Sequence, residues 1–138
     1  MAPCVRRLLA IAALGAIVYA VVTLVALEGN EVVVLHTGGT AHTTRTWIAE
    51  EEQGTLLVEA ANPERPLLRD LQAAPRLELE RHGTRRACTA TILPNPDGHE
   101  RIRRLLSARY GWADAWIALL TDTRSSLAVR LSCAAESH

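Results

Sequence analysis

The chain has 138 residues, and 15 arginines with no lysine stand against 15 acidic side chains, so its formal net charge is zero. No long-range positive field is available to hold a polyanion by counterion release, and nucleic acid is excluded as an expected partner. Three cysteines without a CxxC pair make neither a disulfide framework nor a zinc site.

Residues 8–27 run for twenty positions without a charge. At about 1.5 Å per residue, a helix of that length crosses the roughly 30 Å hydrocarbon core of a bilayer. The stretch therefore predicts a single-pass transmembrane helix after a stub, 1–7. A cleaved signal would have an apolar region of about 7–15 residues and a small-residue cleavage site. Thr23-Leu24-Val25-Ala26-Leu27-Glu28 offers no such site, so a retained anchor in the cell membrane is expected. Arg6 and Arg7 precede the span, and Glu28 and Glu31 follow it. The positive-inside rule then puts the N-terminus in the cytoplasm and the remaining chain outside. Cys4, beside these arginines, is expected to be unmodified.

Beyond the anchor, one domain is predicted over 31–134, with a short tail, 135–138. The β-branched run Val32-Val33-Val34-Leu35 predicts a buried strand over 31–37. Gly38-Gly39-Thr40 turns the chain into a second strand over 43–50, and Gln53-Gly54 marks a hairpin into a third over 55–60. Pro66 can open a helix in which Leu67, Leu68 and Leu71 share a face, and Pro75 ends it. Over 76–81, Leu77 and Leu79 alternate with Glu78 and Glu80, so that strand has one wet face. His82-Gly83 turns it into a fifth strand over 85–93. Asp97 with Glu100 fits a capping box, with Ile102, Leu105 and Leu106 as the helical stripe behind it. A further helix follows Tyr110-Gly111, and Leu127, Val129 and Leu131 make a closing strand. The order βββαββααβ, with short strands and hairpin links, predicts a closed or half-closed antiparallel barrel with helices packed on it.

Cys88 and Cys133 fall in step with the apolar positions of their strands. The expectation is two small buried thiols, with a disulfide as the alternative if the domain faces an oxidising compartment. The five histidines, His36, His42, His82, His99 and His138, have no metal-ligand spacing, and no nucleophile elbow or complete phosphate loop is present. More informative is the glycine turn leading into Thr43-Thr44-Arg45-Thr46, whose hydroxyls, backbone N–H groups and guanidinium suit phosphate oxygens. The alternative is an ordinary polar strand face. Tyr110, Trp112 and Trp116 lie within seven residues. Core packing against the barrel is the expectation for this cluster, with a flat-ring ligand or a membrane interface as the alternative.

Three of these segments carry a resemblance. Thr37-Gly38-Gly39-Thr40-Ala41-His42-Thr43-Thr44-Arg45-Thr46 is similar to a glycine turn and basic strand, and Arg45 and Thr46 match while two lysines are absent. Asn62-Pro63-Glu64-Arg65-Pro66 through Ala73-Ala74-Pro75 keeps a proline-framed loop and helix, with Glu64 where that pattern has a lysine. The aromatic stretch from Tyr110 into the last strand completes it. Together they resemble the deazaflavin-dependent nitroreductases, within the split β-barrel superfamily of flavin-binding and pyridoxamine-phosphate-oxidase-like proteins.

The resemblance implies an α+β fold, mainly β: a split antiparallel barrel with packed helices, preceded here by one transmembrane helix. It implies a deazaflavin (coenzyme F420) or flavin mononucleotide (FMN) cofactor, its phosphate near Arg45 with Thr43 or Thr46, its ring or the substrate near Tyr110 or Trp112. It also implies hydride transfer to a lipophilic acceptor such as a quinone, and a homodimer as the common state of such barrels. A second reading stays open: a non-catalytic anchored barrel that holds no flavin and binds a lipid, small ligand or protein.

Overall fold

A computed structural model describes residues 3–135. Of the stub it includes Pro3 onward and of the tail Ala135, so His138 lies outside the described residues. α1 (Pro3–Glu28) is one continuous helix, long and apolar enough to cross a membrane. Most of its side chains are exposed, but Val22 and Thr23 are half-buried and Ala26 is buried. With Tyr19 they recur at spacings of three and four, the spacing of one helical face. That face meets the domain.

Six antiparallel strands follow: β1 (Val32–Thr37), β2 (His42–Glu50), β3 (Leu56–Ala60), β4 (Arg76–Arg81), β5 (Thr84–Ile92) and β6 (Leu127–Cys133). They close into a barrel in the order β1-β2-β3-β6-β5-β4, each strand paired on both sides, which removes free sheet edges along the paired segments. The expected order βββαββααβ is the observed one. Alternation explains the interior: Val33, Leu35, Val58, Leu77, Leu79, Val129 and Leu131 point inward and are buried. α2 (Pro66–Ala73) adds Leu67, Leu68 and Leu71 to this core. On the outside, α3 (Asp97–Tyr110) lays Ile102, Leu106 and Tyr110 over Leu57, Ala49 and Ala128, a second apolar layer.

Local chemistry departs from expectation at three places. Asp97 does not cap α3; the helix begins at Asp97, and the Asn95 Oδ1 accepts from the His99 N–H at 3.1 Å instead. Cys88 and Cys133 are not free thiols. They are opposed partners in the β5–β6 ladder, and their sulfurs are joined in a disulfide. Strand alternation correctly put both on the apolar side, but their meeting depended on β5 pairing with β6, which no local pattern encodes.

The third departure is the aromatic cluster. Gly111, at φ +51°, breaks the chain between α3 and α4 (Trp112–Leu120) and sends the aromatics apart. Tyr110 turns into the domain and stacks on Trp47 at 4.7 Å. Trp116 turns to α1, 5.8 Å from the Tyr19 ring, and its Nε1–H donates to Thr23 Oγ1 at 3.1 Å. Trp112 is 59% exposed.

Candidate functional site

β2 has nine residues, but β3 pairs with it only over Ile48, Ala49 and Glu50. The first half of β2 thus keeps β1 as its single ladder partner, and a gap opens between it and the end of β3. A cavity of about 370 Å³ fills this gap. Thr44, Arg45, Thr46 and Trp47 line it from β2, Glu59 to Asn62 and Arg65 from β3 and its following loop, Arg103 and Leu106 from α3. Asp114, Ile117 and Ala118 of α4 and Leu27 of α1 close the remaining side. The volume lies within the usual range for a small-molecule site, and polar groups converge on an otherwise apolar lining.

The charges in this cavity are arranged rather than merely balanced. Arg103 donates to Glu59 at 3.0 Å from Nη1 and to Asp114 at 2.7 Å from Nη2. All three are well covered, their side chains 20%, 11% and 6% exposed. One guanidinium thus serves two carboxylates, and a third, Glu28 at the end of α1, also lines the cavity. Arg45 and Arg65 are exposed at its rim, and among the described residues neither is in an ion pair. They are the cations available to an anionic ligand. Thr46 Oγ1 donates to the Glu59 carbonyl at 3.3 Å, holding the two strands at the gap.

Trp47 gives the cavity a flat wall. Behind it Tyr110 is 6% exposed, and its hydroxyl donates to the Ile48 carbonyl at 2.6 Å. Burial pushes the Tyr110 hydroxyl above its ordinary pKa, and the Tyr110 ring, stacked on Trp47, positions that wall.

Of the five residues singled out from sequence, the structure brings Arg45 and Thr46 to this cavity. Thr43 shares a strand face with Arg45 but is exposed beyond the cavity lining. Tyr110 stands behind the wall, and Trp112 lies on the outer side of α4. The glycine turn is also separate from the cavity. Asp70 of α2 occupies its flank, accepting from Thr37 Oγ1 and meeting His42 Nδ1, each at 2.7 Å. The Thr37 hydroxyl, then His42, hold the Asp70 carboxyl below its usual range. A Cβ on Gly38 would sit 3.3 Å from the Asp70 carboxylate and the His42 ring, at a φ of +60° that already favours glycine. The turn is a structural clamp, and its carboxylate disfavours phosphate.

Sequence reasoning missed Trp47, Glu59, Arg65, Arg103 and Asp114. One local signal existed: Glu59 is the only charge in β3. Glu64, which stands where the resembled pattern has a lysine, does not line the cavity, while its neighbour Arg65 does.

The sequence matches no protein-family model and no curated protein. Solved structures match its fold. A candidate pyridoxamine 5′-phosphate oxidase of Listeria innocua superposes with a TM-score of 0.52 at 18% identity, over 81% of this chain and 90% of that one. A FAD-binding protein of Mesorhizobium loti gives 0.51 at 18% identity, over 84% and 88%. HutZ, the haem storage protein of Vibrio cholerae, gives 0.52 at 12% identity, over 80% and 87%. The chain shares the fold of these proteins, a split antiparallel barrel, as the sequence resemblance implied. At these identities the likeness is one of fold, and the described ligands of these neighbours differ, so the likeness assigns no ligand to this chain.

Proposed function

We propose that this is a membrane-anchored split-barrel oxidoreductase that binds a flavin-type cofactor, FMN or a deazaflavin, in the gap between β2 and β3. The observation that carries the reading is the division of labour among the arginines. Arg103 is committed to Glu59 and Asp114, which leaves Arg45 and Arg65 at the rim for a phosphate. Thr44, Thr46 and Asn62 add polar groups beside them, and Trp47 offers a flat surface for a ring. The residues present therefore fit a phosphate-bearing flat molecule. A flavin-type group supplies hydride transfer when bound; the chain holds its phosphate, orients its ring and limits water around it. A quinone or another lipophilic acceptor suits a cavity whose far wall includes Leu27 of α1 and Ile117 of α4.

A second reading has its own support. The Cys88–Cys133 disulfide fits an oxidising compartment, and Arg6 and Arg7 ahead of α1 favour the outer face for the domain by the positive-inside rule. A reduced deazaflavin belongs to the cytoplasm, so an outer domain is better read as a non-catalytic module binding an anionic amphiphile in the same cavity.

Titration of the detergent-solubilised protein with FMN and with the deazaflavin coenzyme, read by tryptophan fluorescence, separates the two. The oxidoreductase reading expects saturable quenching that Arg45→Ala weakens by about tenfold, or roughly 1.4 kcal/mol. Absence of saturable binding by either cofactor overturns it and leaves the amphiphile module.

A further inference from the structure

We propose that α4 is a second membrane contact, lying beside α1 at the level of its apolar span with Trp112, Ala115, Leu119 and Leu120 against lipid. The proposal rests on α1 spanning the membrane, and its evidence is the level at which the two helices meet.

Trp116 of α4 contacts Tyr19 and Thr23 of α1. Tyr19 lies eight residues before Leu27, the last residue of the charge-free stretch, which is roughly 12 Å along a helix. On the sides of α1 away from α4, Val21, Leu24 and Val25 are 52%, 57% and 51% exposed. Lipid must reach that level to cover them, and it then surrounds α4 as well. α4 is built for such a setting. Its exposed residues, Trp112, Ala115, Leu119 and Leu120, are all apolar, and Leu119 is 81% exposed. Its single charge, Asp114, is buried against Arg103. Polar residues resume directly after the helix, where Asp122 pairs with Arg124 in an exposed loop. An apolar helix face bearing tryptophan at its end has the composition of an interfacial element.

The test uses the full chain in phosphatidylcholine vesicles, with a nitroxide at L119C, I11C or E52C, each combined with C4S. Cys4 is the free cysteine, and these sites are exposed, so the labels leave the core intact. Relaxation by oxygen, which partitions into lipid, is compared with relaxation by a water-soluble nickel chelate. The expected result is an oxygen-to-nickel ratio at Leu119 several-fold above that at Glu52 and approaching that at Ile11. A Leu119 ratio equal to that of Glu52, with Ile11 in lipid, overturns the proposal while leaving α1 as an anchor. An aqueous ratio at Ile11 overturns the anchor and the proposal together. Protection of Leu119 from both reagents also overturns it, because α4 would then be covered by protein.

Discussion

Arg103 is the residue on which the cavity's electrostatics turn, since it stands between two carboxylates that are both largely withdrawn from water. Replacing it with a side chain of similar length but no charge leaves Glu59 and Asp114 facing each other without a cation. Arg103→Met should cost about 3–5 kcal/mol of stability, the usual consequence of orphaning a buried charge. Urea unfolding checks the size of the effect. The double variant Arg103→Met/Glu59→Gln should recover part of the loss; equal instability in both variants would mean that the arginine acts through packing alone. None of this was legible in sequence. Arg103 sits between Arg101 and Arg104 in a basic stretch of α3, and its partners lie 44 residues upstream and 11 downstream.

At the scale of elements, β5 and β6 are joined twice, by their ladder and by the disulfide between opposed residues. The bond closes a loop of 45 residues that contains both α3 and α4. In the unfolded chain that closure removes conformational freedom, and a loop of this length stabilises the native state by about 2–4 kcal/mol. Thermal unfolding with and without dithiothreitol should therefore differ, and Cys88→Ser/Cys133→Ser should match the reduced protein. An unchanged midpoint would mean that the thiols are not joined in solution. Elements themselves were largely legible. Strand alternation at Leu77 and Leu79 and the helical stripe at Ile102 and Leu106 follow local periods of two and 3.6, which depend on nothing distant. The cap of α3 was misread because Asp97 has the composition of a cap, and only backbone geometry puts it inside the first turn, behind Pro96 at the N-cap position.

For the whole molecule, the critical join is Glu31, placed between α1 and β1. Its carboxylate takes hydrogen bonds from Arg81 at the end of β4 and from Arg109 near the end of α3, and His82 lies 3.3 Å away. The exit of the apolar helix is thus tied to one end of the barrel. The Arg81 hydrogen bond holds the Glu31 carboxyl below its ordinary value, with the charges of Arg81 and Arg109 adding to it. A carboxyl depressed by folding stabilises the native state above its unfolded pKa, and that contribution is lost as pH falls through the folded value. Glu31→Gln should therefore lower stability by about 1–3 kcal/mol at neutral pH, with the gap to the wild type narrowing below about pH 4. Melting curves across pH 3–7 check this, and a gap that is independent of pH would refute it. Asp70 and Glu80 are depressed in the same direction, chiefly by hydrogen bonds from Thr37 and His36, so acid weakens the β1–α2 and β1–β4 contacts as well.

The apolar run of residues 8–27, the order of strands and helices, and the barrel class were determined by sequence alone, because each rests on a local property. Charge absence, alternation and turn residues act over a few positions and keep their meaning wherever the chain goes. Tertiary structure decided which of those residues meet. It separated Tyr110, Trp112 and Trp116 onto three surfaces across one glycine, and it joined Cys88 to Cys133. It also assembled the cavity from Arg45, Trp47, Glu59 and Arg103. Those meetings follow from closure of the barrel, a long-range event whose partners lie 44 to 63 residues apart in the Arg103–Glu59, Cys88–Cys133 and Trp47–Tyr110 pairs. Local chemical pattern carries no information about separations of that size.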